Sequence, residues 1–116
     1  MIKLYGITNC DTVKKARAWF GAAGLLYEFV DFKKTPPTAA QLAHWCEVLG
    51  ADAVVNRRGT TWRKLDAATQ AGAATPKGAV ALLVANPSAI KRPVIEAGNT
   101  LLIGYDAEHY ARVLGR

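Results

Sequence analysis

The hydrophobic rhythm of the chain changes between Gly6 and Val13, and a cysteine stands at the change. Ile2, Leu4 and Tyr5 form a short apolar run closed by Gly6, the pattern of a strand ending in a loop. From Val13 the spacing is helical. Val13, Ala16 and Phe20 fall at i, i+3 and i+7, with Lys14, Lys15 and Arg17 over much of the remaining surface. Asn9 and Asp11 are both good N-cap types, so the helix is expected to begin within a residue or so of Cys10.

That position has a chemical consequence. A cysteine reacts as its thiolate, and an unperturbed thiol with a pKa of about 8.5 is only ~3% ionised at neutral pH. At a helix start the unpaired N–H groups point at the sulfur and the peptide dipoles favour an anion. Lys14, one turn further on, is expected to act in the same direction. Cys10 is therefore the candidate nucleophile, with an inert buried thiol as the competing reading of a lone cysteine. Cys46 is different, because Leu42, Trp45, Cys46 and Leu49 make one apolar stripe at i, i+3, i+4 and i+7, which makes it a core residue. His44 lies off that stripe and His109 in a polar-faced C-terminal segment. Two cysteines and two histidines so scattered have no metal-ligand spacing, and no metal site is expected.

Gly21 and Gly24 mark the end of the first helix, and the alternating run Leu26 to Phe32 reads as a second strand. A helical connection makes that pair parallel, a right-handed βαβ unit. Thr38 and Gln41 fit a capping box ahead of the Leu42 stripe, which Gly50 stops. Arg57 and Arg58, before Gly59, are the densest cationic spot in a loop; an anion-binding element and plain solvated charge are equally good readings of them. A short helix is expected around Thr61 to Leu65. Ala67 to Ala74 is weakly patterned, helical or a mobile connection. Thr75 and Pro76 read as N-cap and N1 of a helix that stops before Pro87, its nearly continuous apolar positions implying burial on most sides. Val94–Ile95 and Leu101–Ile103, joined by Ala97, Gly98 and Asn99, signal a hairpin. A last helix starts at Asp106 and carries Tyr110, Val113 and Leu114 on one face.

The 116 residues suffice for one domain. No run of eighteen apolar residues exists to span a membrane, and the start, MIKLYG, enters a strand without a signal-peptide core, so a cytoplasmic protein is expected. The formal charge of +6 favours anionic partners. It is dispersed, however, with no aromatic–basic interleaving, which argues against nucleic acid.

The order βα, β, helical middle, ββα, with a cysteine at the first helix start, resembles the thioredoxin-like fold. The segments YGITNCDTVKKARAW, NRRGTTWRKL, NPSAIKRPVI and LLIGYD narrow the likeness, in the right order over most of the chain. They resemble the arsenate reductase ArsC family, in its YffB-like branch near the Spx regulators. The resemblance implies an α/β thioredoxin-like fold: one ArsC-like domain over 1–116, a four-stranded mixed sheet from about 1–34 and 88–116, and an inserted helical subdomain at about 35–87. It implies Cys10 as nucleophile, Pro93 as the cis proline facing it, Arg92 as an anion-binding arginine, and Arg57 or Arg58 as another. Asn9 and Thr12 are placed to offer donors beside the sulfur.

Three departures shape the expected chemistry. Tyr105 stands where arsenate reductases carry a third arginine, which removes a charge-assisted donor worth about 1.5 to 3 kcal/mol from an oxyanion site. Gly6 stands where they carry a histidine. Val13, three residues after Cys10, replaces the second cysteine of a C-x-x-C motif, so the resolving thiol must come from outside. The resemblance to YffB-like proteins points to glutathione as that co-substrate. The leading expectation is a monomeric, glutathione-dependent monothiol reductase acting on a disulfide-bearing substrate, protein disulfides included. An Spx-like regulator binding RNA polymerase and an arsenate reductase are the alternatives.

Overall fold

The structure is a computed structural model that describes residues 1–116. Its elements fall into two compact units, 1–35 with 92–116, and 36–91.

In the first unit, the apolar run at the N-terminus forms β1 (Ile2–Gly6), followed by α1 (Asp11–Ala22) and β2 (Tyr27–Asp31). After residue 91 come β3 (Val94–Ala97), β4 (Thr100–Ile103) and α7 (Ala107–Leu114). The strands make one sheet in the order β2-β1-β3-β4, parallel between β1 and β2 and antiparallel elsewhere. This is the four-stranded mixed sheet of the thioredoxin-like fold. The hairpin turn is tighter than the sequence suggests, since Ala97 pairs with Thr100 and only Gly98 and Asn99 lie between the strands.

The register explains the core. Phe29, Leu4, Ile95 and Leu102 are paired in one row across the sheet and so point to one face. Leu4, Ile95 and Leu102 are buried there with Val13, Ala16 and Phe20 of α1 and Tyr110 of α7. α7 is anchored by Tyr110, whose ring meets Trp19 and Phe20 edge-on and whose hydroxyl donates to the Gly104 carbonyl. Val113, expected on the same face, is instead 37% exposed, because the buried side of this short helix is already filled by Tyr110 and partly by Leu114.

Tyr110→Phe is expected to cost about 1 to 2 kcal/mol by leaving the Gly104 carbonyl without that donor, as measured by urea unfolding. Burial, and then the charges of Tyr105 and Asp106, push the Tyr110 phenol above its ordinary value. The folded state therefore keeps the proton longer than the unfolded chain. Stability attached to Tyr110 should be complete below pH 10.0 and fall as pH rises beyond it, a decline absent from Tyr110→Phe.

Gly6 closes β1 against α1. A Cβ there would lie 2.7 Å from Val13 Cγ2, so no side chain fits without displacing a buried valine. Gly6→Ala is expected to destabilise by about 1 to 3 kcal/mol in the same unfolding measurement.

The second unit is helical: α2 (Ala39–Leu49), α3 (Ala51–Val54), α4 (Thr60–Lys64), α5 (Ala67–Gly72), α6 (Pro76–Ala85) and a 3₁₀ turn, Pro87–Ala89. The capping box at α2 is complete, with Gln41 N–H donating to Thr38 Oγ1 at 3.1 Å and Thr38 N–H to Gln41 Oε1 at 2.9 Å. Leu42, Trp45 and Cys46 are buried, as their stripe requires. The single turn α3 has no counterpart in the sequence reading. Residues 67–74, left open there, hold α5, with Asp66 Oδ1 accepting from Thr69 N–H as its N-cap.

α6 begins as expected, Thr75 Oγ1 accepting from Gly78 N–H at 3.0 Å with Pro76 in the first turn. Its burial differs from expectation. α6 packs on α2 through Ala79, Leu82 and Leu83, while Val84 is 49% exposed. Alanines and valines on the outer side give a helix whose composition looks enclosed although only one face is covered.

Candidate active site at Cys10

Cys10 is the N-cap residue of α1, with extended backbone at φ −149°, so neither Asn9 nor Asp11 caps the helix. Its thiol sits half-buried at the helix start. Cys10 Sγ lies 3.2 Å from Thr12 Oγ1, and Thr12 Oγ1 donates to the carbonyl of Arg92 at 3.1 Å. The Arg92–Pro93 bond is cis, and Pro93 is fully buried. Pro93 O accepts from Gly104 N–H at 2.8 Å, which ties the segment ahead of β3 to the end of β4.

Partial burial acts to raise the Cys10 pKa. The Thr12 hydroxyl, the Val13 N–H and the Arg92 guanidinium, through hydrogen bonding and charge, together outweigh it and hold the thiol below its ordinary value. The sulfur closes no regular cap hydrogen bond, so the Val13 amide acts on it as a nearby dipole more than as a formed cap. Lys14 is not among the groups that lower the pKa, contrary to expectation. It is exposed on α1, where water screens its charge. Asn9 is exposed beside Cys10 in the loop before α1. Cys46 behaves oppositely, its burial raising the thiol pKa.

Thus Cys10, Thr12, Arg92 and Pro93 come together in the first unit, and they combine an ionisable sulfur with a hydroxyl donor and a fixed cation. Arg57 and Arg58 belong to the second unit. There Arg57 pairs with Asp52 Oδ1 at 2.8 Å and its guanidinium lies 5.1 Å from the Trp62 ring centroid. Arg58 N–H donates to Asn56 Oδ1 at 3.2 Å, and its side chain is exposed. These arginines line an open depression of about 360 Å³ with Asp52, Val55, Asn56 and Lys91. Asn56 and Lys91 were not singled out by the sequence, although an Asn before two basic residues and a glycine is a turn signal. Tyr105, where the resemblance places a third arginine, is partly exposed with its ring edge-on to Tyr110.

The sequence profile of the ArsC family matches residues 5–113. The chain belongs to the ArsC family. Within it, a solved structure named YFFB protein is 43% identical and superposes with a TM-score of 0.94, over 98% of this chain and 99% of that one. A protein of Haemophilus influenzae is 36% identical over 110 residues, 95% of this chain and 96% of its own length. More distantly, the global transcriptional regulator Spx of Listeria innocua is 25% identical over 118 residues, spanning all of this chain and 88% of its own. No helix of this ArsC-family chain is long and apolar enough to cross a membrane.

Proposed function

We propose that the protein is a glutathione-dependent monothiol reductase of disulfides, with Cys10 as its nucleophile. The observation that carries this reading is the Cys10 sulfur at a helix start, its pKa lowered by Thr12, Val13 N–H and Arg92, with no cysteine at position 13 to resolve it. In the first step the Cys10 thiolate attacks the glutathione sulfur of a mixed disulfide. A Cys10–glutathione disulfide forms and the substrate sulfur leaves as a thiolate that takes a proton from water. A second glutathione thiolate then attacks the glutathione sulfur on Cys10, which releases oxidised glutathione and restores the Cys10 thiolate. The sum reduces one mixed disulfide and oxidises one glutathione. Arg92 supplies a guanidinium for a carboxylate of the tripeptide, and Asn9 offers an exposed donor. The cytoplasm, rich in reduced glutathione, is the compartment in which this cycle runs.

The test is a coupled assay with bis(2-hydroxyethyl) disulfide, reduced glutathione and glutathione reductase, following NADPH. Turnover proportional to protein and saturating in glutathione is expected. A rate no higher than the uncatalysed background overturns the reading.

Two other readings stand behind it. The whole-length likeness to the global transcriptional regulator Spx favours a transcriptional regulator, with RNA polymerase as the partner to test; recovery of polymerase subunits on the immobilised protein, with no thiol activity, would replace the reductase reading. Arsenate reduction has the family's arsenate-reductase kinship in its favour, but Tyr105 leaves it one guanidinium short. Arsenate-dependent oxidation of glutathione would support it.

A further inference from the structure

The hydroxyl of Thr12 lies within hydrogen-bond reach of two acceptors at once, Cys10 Sγ at 3.2 Å and Arg92 O at 3.1 Å. A threonine hydroxyl has one proton to give. While that proton goes to the Arg92 carbonyl, the contact with the sulfur is favourable only if the sulfur is the donor, as a thiol is. A thiolate has no proton. With Thr12 still turned to Arg92, oxygen lone pairs would face a negative sulfur.

From this geometry we propose that Thr12 is a positioning residue whose single proton serves the Arg92 carbonyl while Cys10 is a thiol and turns to the sulfur when Cys10 becomes a thiolate. The thiol proton leaves to solvent and Thr12 keeps its own, so the change is a rotation about its Cβ–Oγ1 bond and not a proton relay. Ionisation of Cys10 is thereby linked to the backbone just before the cis bond to Pro93. The mixed disulfide, whose sulfur is neutral, returns the hydroxyl to Arg92.

Few other charges face this pair. Arg92 presents its guanidinium to the sulfur. Residues 7–9, between β1 and Cys10, carry no titratable side chain, and Asp11 and Lys14 on α1 are exposed. Above about pH 6, where carboxylates are fully ionised, Cys10 is therefore the group whose titration the Arg92 carbonyl should report.

The proposal deepens the reductase reading of the same site, yet its test needs neither substrate nor glutathione. Reduced protein labelled with ¹³C and ¹⁵N is titrated from pH 6 upward by NMR, following Cys10 ¹³Cβ and the carbonyl ¹³C of Arg92. In the unaltered protein both signals are expected to move with one midpoint. In Thr12→Val, which keeps the shape and removes the hydroxyl, the Cys10 midpoint should move to higher pH and the Arg92 carbonyl step should disappear. Thr12→Ser should restore both, and Cys10→Ala should leave the Arg92 carbonyl flat. An Arg92 step that persists in Thr12→Val, or a carbonyl that does not follow Cys10 in the unaltered protein, overturns the proposal. Thr12 is exposed in the first turn of α1, and the measurement on the unaltered protein stands whatever the variants do.

Discussion

Cys10→Ser is expected to lower disulfide-reducing activity at least about a thousandfold, to the background of glutathione alone. Serine keeps the size and the helix-start position but offers a hydroxyl that is not ionised at neutral pH. The positive end of α1 and Arg92, which lower a thiol pKa, cannot bring an alcohol into range. The fold should survive, because Cys10 is the N-cap of α1 without a side-chain cap bond, and serine is a preferred residue there. Unchanged urea unfolding with lost turnover in the coupled assay is the expected pair of results. Cys46→Ser should do the reverse. Its thiol lies in the α2 core stripe, so activity per folded molecule stays while stability drops by about 1 to 3 kcal/mol.

Gly78→Ala is expected to be the most damaging small substitution outside the Cys10 site, costing about 3 kcal/mol or more. A Cβ at Gly78 would sit 1.8 Å from the Gly72 carbonyl oxygen and 2.9 Å from Thr75 Oγ1. The first is backbone at the end of α5, which cannot swing aside like a side chain. The second is the cap that accepts the Gly78 N–H, so relief of one clash strains the other. Urea unfolding would show a lowered midpoint, and hydrogen exchange should place the loss in α5 and α6. An exchange pattern like that of the unaltered protein would mean that the α5–α6 approach is looser than these distances require.

What the sequence disclosed follows from how local each feature is. The strand-to-helix change around Cys10, the Thr38–Gln41 box and the Thr75–Pro76 start depend on neighbours within a turn, and all three appear in the structure. The cis bond at Pro93 is another matter, since most X-Pro bonds are trans and only the family resemblance raised it. Features set by distant packing could not be read. Thr12 reaches the carbonyl of a residue 80 positions away, and nothing in either segment announces it. Spacing puts Lys14 one turn from Cys10 but says nothing of how water screens its charge. Periodicity puts Val113 on one side with Tyr110, and near-continuous apolar positions make the helix around Val84 look enclosed, but neither pattern tells how much of a side another element covers. Gly6 looked like a missing histidine, whereas the structure supplies its reason: Val13 occupies the space any side chain would need.

The decisive measurement is the rate at which reduced protein forms a mixed disulfide with oxidised glutathione as a function of pH, with the site identified by peptide mass spectrometry. A single glutathionyl group is predicted on Cys10, with Cys46 unmodified, a rate midpoint below the ordinary thiol value of about 8.5, and complete release by reduced glutathione. An unmodified Cys10, or a midpoint at or above that value, would contradict a thiolate nucleophile that works through glutathione.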